Sequence, residues 1–442
     1  MAAHRVVILG GGFGGLYAAR ALRKAPVEVV LLDRRNFHLF QPLLYQVATG
    51  SLSPGEICAP LRSVLARQKN TQVLLGEVVD LDARGRTIHL LDGASYRYDS
   101  LIVATGSQSF YFGHDPWREW APSLKSVEEA AAIRHKIFYA FEAAERESDP
   151  ALRRAWLTFV IVGGGATGVE LGGALGEIAG DTLKNEFRSI DPREAQILIL
   201  DGGPRLLTAF PQDLASHAEE ALVELGVRVR TGIQVVGIDA DGVTYVSAGG
   251  PQERLATKTV LWAGGVHIDG FGRILAERTG AETDRSGRIK VLPDLTLPGY
   301  PEIYVVGDLA QITGKDGKLL PGVAQIAMQG GGYAAKTIVA RLQGKSGVAP
   351  FHYFDLGDIA VIGRAAAVAR IFGLHVHGLI AWLVWLFIHL MNLVQFQSRV
   401  LVFIHWGFQY LTFSRGARLI TGGTAVADSL SPGPTMKNEA KP

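Results

Sequence analysis

The chain contains a single cysteine, Cys58, in 442 residues. One thiol excludes an intrachain disulfide, a Cys-only zinc site and a cysteine-held iron–sulfur cluster. Any redox chemistry must therefore reside in a bound organic cofactor. Charge is sparse as well: Asp, Glu, Lys and Arg make up 19% of the residues, against about 25% in ordinary soluble domains. The net charge of +2 excludes a globally basic nucleic-acid binder. The N-terminal apolar stretch breaks at Gly10 after a few residues, so no signal peptide is expected. From Ile359 to Ala427 there is no Asp, Glu or Lys, and the fixed charges are Arg364, Arg370, Arg399, Arg415 and Arg418.

What is present is apolar and glycine-rich: 48% hydrophobic residues and 53 glycines. At about 150 residues per domain, the length allows about three domains, each with its own core.

The first 330 residues contain an internal repeat. Arg5–Leu9 is a short apolar run ending in Gly10-Gly11-Gly12-Phe13-Gly14-Gly15, followed by a helix-like stretch and then Val27–Leu32, closed by Asp33. This order of strand, glycine turn, helix, strand and acid is a βαβ unit carrying G-x-G-x-x-G. It returns at Thr158–Val162, Gly163-Gly164-Gly165-Ala166-Thr167-Gly168 and Gln196–Leu200, closed by Asp201. A second feature also recurs, because the run ending in Ala104-Thr105-Gly106 matches the run ending in Ala263-Gly264-Gly265. Each follows an alternating, hairpin-like stretch, Val78–Leu90 and Val235–Val246.

The three glycines of such a turn have separate tasks. The first makes the sharp turn, the second admits a pyrophosphate against the backbone, and the third lets helix pack on strand. The free N–H groups of the helix start then face the phosphates. Asp33 and Asp201 are placed to accept hydrogen bonds from ribose hydroxyls. Asp201 lies farther from its glycines than the usual ~20 residues, with an extra helical stretch and a loop around Pro192 expected between them. A carboxylate there favours NADH over NADPH, and nearby Arg205 keeps that preference moderate. The expected fold class is α/β, with two Rossmann-like dinucleotide-binding domains plus a C-terminal helical membrane-associating region.

The paired motifs resemble the two-dinucleotide-binding-domain flavoproteins, which hold FAD on the first unit and NAD(P)H on the second. Pro301–Asp308 resembles that superfamily's second FAD signature, in which the aspartate, here Asp308, binds the ribityl chain. Within the superfamily the chain resembles type II NADH dehydrogenases, single-chain NADH:quinone oxidoreductases. The closer match rests on Asn36–Gly50, on Ala324-Gln325-Ile326-Ala327-Met328-Gln329, which fits the family's AQxAxQ quinone-site motif, and on the tail from Gly378 to Gly422. Disulfide reductases and sulfide:quinone oxidoreductases of the superfamily depend on several cysteines, which Cys58 alone does not supply. Cys58 reads as an inert packing residue.

The resemblance implies FAD held by Gly10, Gly12, Phe13, Gly14, Gly15, Asp33, Arg34, Gln41, Thr49, Ala104, Thr105, Gly106, Asp308 and Gln325. It implies NADH held by Gly163, Gly165, Thr167, Gly168, Glu170, Asp201, Ala263 and Gly264. Glu170, Gln325 and Gln329 are the implied catalytic residues, with Glu177 a weaker candidate and Tyr45 beside Thr49 near the flavin. Glu170 is expected on the first turn of its helix, where it faces nicotinamide and flavin. Gln325 and Gln329, spaced i, i+4, share a helix face, and their neutral amides suit a quinone carbonyl in an apolar tunnel. No metal is expected, and His389 and His405 are read as packed or interfacial residues.

The tail offers two apolar segments, Leu379–Val394 and Val400–Phe413, each shorter than the ~20 residues of a spanning helix. Trp382, Trp385, Trp406 and Tyr410 are types enriched at the headgroup level. Two helices lying in one leaflet explain both features. The expected location is thus peripheral, on the cytoplasmic side of a cell inner membrane, with quinone and the lipid surface as partners and a homodimer possible from the family. Arg364, Arg415 and Arg418 are expected either on lipid phosphates or in salt bridges.

The expected domains are 1–114 and 271–345 for FAD, 115–270 for NADH and 346–423 for membrane anchoring, with a disordered stretch at 424–442. The implied activity is hydride transfer from NADH to flavin and two electrons to quinone, without proton pumping. The alternatives are an NADH/FAD redox sensor and a ferredoxin-reductase-like flavoprotein with a protein acceptor.

Overall fold

The computed structural model describes residues 3–421 apart from 269 and 346. The expected disordered stretch 424–442 lies outside the described residues. Two parallel sheets dominate. The six-stranded sheet runs Thr296–Leu297, Tyr300–Val305, Ser100–Val103, His4–Leu9, Val27–Asp33 and Thr71–Leu75 in spatial order, parallel except for its first pair. The four-stranded sheet runs Val227–Arg230, Gln196–Leu200, Thr158–Val162 and Thr259–Trp262, all parallel. Both sheets are covered on two faces, which is why their strands read as continuous Val/Ile/Leu runs rather than alternating ones. Two Rossmann-like α/β units follow from this order, as the glycine repeat implied.

The expected hairpins form beside them, over Val78–Arg97 and over Ile233–Ala256, the latter turning at Ala240-Asp241, one residue earlier than expected, because Gly242 already pairs with Asp239. Two antiparallel linking strands, Gln108–Ser109 and Val266–His267, join the units.

The C-terminal part packs against the second unit. A three-stranded antiparallel sheet, Asp358–Gly363, Ala366–Ile371 and Leu374–His377, leads into helices Gly378–Asn392 and Phe396–Thr412. The approach is close: a Cβ on Gly173, in helix Ala166–Glu177, would lie 1.5 Å from the Ile362 carbonyl oxygen. Only a glycine lets that strand rest directly on the nucleotide-turn helix.

Among the described residues no helix is long and apolar enough to cross a membrane. The two tail helices nevertheless expose Leu379, Ile380, Leu383, Phe387, Ile404 and Phe408, each at 50% or more. The aromatic residues depart from expectation. Trp385 and Trp406 are 2% and 6% exposed and pack with ring centres 5.0 Å apart, tilted by 39°, and Trp382 and Tyr410 are half-buried. The tail therefore presents aliphatic and Phe side chains outward, while its indoles face the protein. A large amphipathic ring with one N–H is best buried where that N–H finds an acceptor, and Trp406 finds one.

Candidate active site

The two glycine turns have the same construction. Gly10 and Gly163 adopt φ of +99° and +115°, a region that favours glycine. Their amides donate to Leu32 and Leu200 carbonyls, each at 2.8 Å. The next amide, of Gly11 or Gly164, donates to Oδ2 of Asp33 or Asp201 at 2.5 Å. The other carboxylate oxygen accepts from Arg35 or Gly203, each at 2.7 Å. A Cβ on Gly15 or Gly168 would lie 1.8 Å from the Gly10 or Gly163 carbonyl oxygen. Asp201 thus stands where Asp33 stands, the longer spacing being absorbed by a π-helical turn, Ile178–Thr182, and a loop. Burial raises the Asp33 carboxyl from its ordinary value, with the Gly11 and Arg35 amides opposing.

The small-residue turns close the same cradles: Ala104 N–H donates to Leu9 O and Ala263 N–H to Val162 O, both at 2.8 Å. Exposed Thr105, Gly106 at φ +74° and half-buried Gly264 follow them. A Cβ on Gly12 or Gly165 would meet no atom within 4 Å, so each turn has open space beside the first helical amides. Helices Phe13–Ala21 and Ala166–Glu177 begin there, with Thr167 and Gly14 in their first turns. The residues present therefore fit a dinucleotide pyrophosphate at each turn.

Other predicted contacts surround the first cradle. Arg34 is exposed, Gln41 opens a short 3-10 turn, and Phe13 packs edge-on to His38 and Phe40. Asp308 Oδ2 accepts from Ser107 Oγ at 2.7 Å, and Lys125 Nζ stands 3.9 Å away. Sequence reasoning missed Lys125, because no motif marks a residue brought in from the second unit. It also missed His38 as a support of the turn. His38 Nδ1 bonds the Gly11 carbonyl oxygen at 2.9 Å, and burial pushes its pKa down to about 4. Cys58 is partly buried, and burial pushes its thiol up to about 12, as fits a packing residue.

Arg205 lies on the loop after Asp201. Its guanidinium donates to the carbonyls of Leu206, Leu207, Thr208 and Phe210 at 2.7–3.2 Å. These contacts hold the guanidinium on the backbone of the loop that follows Asp201.

Gln325 and Gln329 do share a face of helix Ala324–Leu342, but that face meets the Tyr353–Gly357 loop. Gln329 bonds the Phe354 backbone in both directions at 2.9 Å, so its amide is a clip. Gln325 donates to Gly357 O at 3.3 Å and accepts from Tyr353 OH at 3.2 Å. Neither lines the cavity described next.

That cavity, of about 100 Å³, lies between the second nucleotide helix and the tail helices. Glu170 and Glu177 line one side; Trp382, Trp385, Trp406 and Gln409 line the other; Tyr45 and Gln46 lie between. Glu170 stands on the second turn of its helix rather than the first, since the helix begins at Ala166, and the helix start does not explain it. Burial pushes its pKa up to about 8, the Val361 amide pulling the other way. Burial, and next the nearby Glu170, hold the Tyr45 phenol well above its ordinary value. Thr49 is fully buried, donating its hydroxyl to Tyr45 O at 2.9 Å and accepting from Arg415 Nη1 at 3.1 Å.

The arginines resolve into internal contacts. Arg415 is paired with Glu177 at 2.6 Å and Arg418 with Glu186 at 2.7 Å. The Arg364 guanidinium lies 4.2 Å and 4.1 Å from the Tyr410 and Phe413 ring centres. The lipid-phosphate alternative does not hold for Arg415, which is buried. His389 is packed, with Nδ1 2.7 Å from Trp385 O and its pKa pushed down to about 4 by burial. His405 pairs with buried Glu56.

Two Rossmann turns, each with its carboxylate, and one cavity built on the second nucleotide helix define a two-nucleotide flavin oxidoreductase. In agreement, the pyridine nucleotide-disulphide oxidoreductase family matches residues 4–331. A type II NADH:quinone oxidoreductase of Mycobacterium tuberculosis, Ndh, is 45% identical over 96% of this chain and 92% of its own. A second from that organism, NdhA, is 44% identical over 95% and 89%. The structure of NDH2 from Plasmodium falciparum in complex with NADH superposes with a TM-score of 0.86 at 20% identity, covering 95% of this chain and all of that one. The chain belongs to the type II NADH:quinone oxidoreductases.

Proposed function

We propose that this enzyme oxidises NADH through FAD and delivers two electrons to a quinone in the cavity between helix Ala166–Glu177 and the tail. One observation carries the reading. A single helix starts at the second nucleotide turn and brings Glu170 to a cavity whose opposite wall is the apolar tail. A water-soluble donor and an oil-soluble acceptor are thereby served from two sides of one scaffold.

FAD, when bound, supplies the relay that accepts a hydride equivalent from NADH and releases electrons to quinone. The first cradle, Gly10 to Gly15 with Asp33, Arg34, Gln41, Ala104, Thr105, Gly106 and Asp308, holds it, with Thr49 and Gln325 nearby. Ser107 and Lys125 fix the Asp308 carboxylate. The second cradle, Gly163, Gly165, Thr167, Gly168, Asp201, Ala263 and Gly264, holds NADH, and Asp201 disfavours a 2′-phosphate. Glu170, neutral near pH 7, holds a proton at the cavity wall without placing a charge in it. Gln329 acts indirectly by fixing the loop that Gln325 touches. The units are 1–114 with 271–345 for FAD, 115–270 for NADH and 346–423 for the tail.

The exposed face of the tail helices rests on lipid at the cytoplasmic side of the cell inner membrane. It carries Leu379, Ile380, Leu383, Phe387, Ile404 and Phe408 exposed on two neighbouring helices, the kind of apolar surface that marks a membrane or partner contact, and a homodimer would compete for the same face. The test is optical: flavin absorbance should bleach with NADH and return with ubiquinone-1. Protein without flavin, or flavin that NADH does not bleach, overturns the reading.

A further inference from the structure

The cavity wall contains a short hydrogen-bond chain whose direction is fixed by chemistry. Trp406 Nε1 lies 2.8 Å from Gln46 Oε1, and Gln46 Nε2 lies 2.9 Å from the Tyr45 hydroxyl oxygen. All three residues are at most 7% exposed, and all line the cavity. An indole N–H donates and never accepts. Gln46 must therefore turn its carbonyl oxygen to Trp406 and its NH2 to Tyr45, and the amide orientation is not free. Tyr45 accepts from Gln46, so its own hydrogen has to point elsewhere. Among the described residues no other partner of that hydroxyl is present. The free direction is the cavity, and the raised phenol pKa keeps the group an O–H donor through the working range.

We infer that Tyr45 is a catalytic residue that donates a hydrogen bond to a carbonyl oxygen of the quinone, with Gln46 and Trp406 as positioning residues that hold its O–H toward the cavity. The inference rests on the reading that this cavity receives quinone. Charge builds on a quinone oxygen as electrons arrive, and a donor fixed beforehand helps most at that moment. Placing the origin of the chain on a tail helix also makes the donor's direction depend on the tail being docked.

Stopped-flow measurement on the full-length holoenzyme separates the two half-reactions. With Tyr45→Phe, flavin reduction by NADH and reoxidation by ferricyanide should match the parent. Reoxidation by ubiquinone-1 should slow on the order of tenfold, the size of one lost hydrogen bond. Gln46→Met is the sharper variant. It removes the acceptor of Trp406 and the donor to Tyr45 together, so the phenol hydrogen is no longer held toward the cavity while Tyr45 remains. It should reproduce the loss, and combining it with Tyr45→Phe should add little. Flavin content and the reductive rate report whether either variant is merely misfolded. Ubiquinone-1 should also quench the fluorescence of the cavity tryptophans. Quenching with unchanged reoxidation in both variants overturns the role of Tyr45. Absence of quenching removes quinone from this cavity, and the inference with it, while leaving NADH-dependent bleaching of the flavin untouched.

Discussion

Arg415 Nη2 stands 2.6 Å from Glu177 Oε2, joining the chain's tail to the end of the second nucleotide helix across 238 positions. The same guanidinium donates to Thr49 O, Thr49 Oγ1 and Ser51 Oγ, and Glu177 also accepts from the Arg364 amide. One buried ion pair thus ties the post-helix tail, the loop after Ala48 and the Gly363–Arg364 turn to one point on the cavity wall. Nothing in the local sequence around Arg415 announces this.

Removing one partner should be costly, because the other is left charged where water is scarce. Arg415→Ala is expected to destabilise by about 3–5 kcal/mol, read as a lower thermal midpoint together with a raised KM for ubiquinone-1. Replacing both, Arg415→Met with Glu177→Leu, should recover much of the stability and little of the quinone KM. A single substitution without effect on either quantity would show the latch to be incidental.

Glu170 sets a dependence on pH. Its pKa in the fold is about 8, against an ordinary 4.5. Between those values the folded protein holds a proton that the unfolded chain has lost, so stability declines as pH rises. The contribution is complete below about 4.5 and gone above about 8. Glu170→Gln removes the titration. Its melting temperature relative to the parent should rise from pH 5 to about pH 8 and then level off, with the curves converging in acid. Parallel curves across this range would contradict a buried, neutral Glu170.

Each third glycine offers a clean dissection. Gly168→Ala forces a Cβ against the Gly163 carbonyl at 1.8 Å and should raise the KM for NADH at least tenfold. The flavin spectrum should be retained. Gly15→Ala, the same clash at the first turn, should instead lose flavin on purification. The opposite pattern would exchange the two nucleotide assignments.

Lipid contact should be separable from catalysis. Deleting the tail is a poor test, since Trp385, Trp406 and Val402 belong to the protein core. Replacing the outward residues Leu383, Phe387, Ile404 and Phe408 with Gln leaves that core intact. Flotation with anionic liposomes should fall at least tenfold, while turnover with ubiquinone-1 changes less than twofold. Unchanged flotation would assign the face to another partner.

Sequence alone determined the nucleotide architecture, because each step of it is local. Gly10 to Gly15 and Gly163 to Gly168 have no alternative that fits a strand, a tight turn and a helix start within six residues. The apolar runs on either side could only be strands buried on both faces. The single cysteine settled that electrons travel by a bound cofactor, without any coordinates. The tertiary structure decided what depends on long-range meetings of side chains. It turned Trp385 and Trp406 inward, made Gln329 a clip, committed Arg205 to backbone carbonyls, and gathered Tyr45, Glu170, Glu177 and Arg415 around one cavity. Their partners come from separate stretches of chain, and burial with hydrogen-bond satisfaction, rather than periodicity, chose among the possibilities.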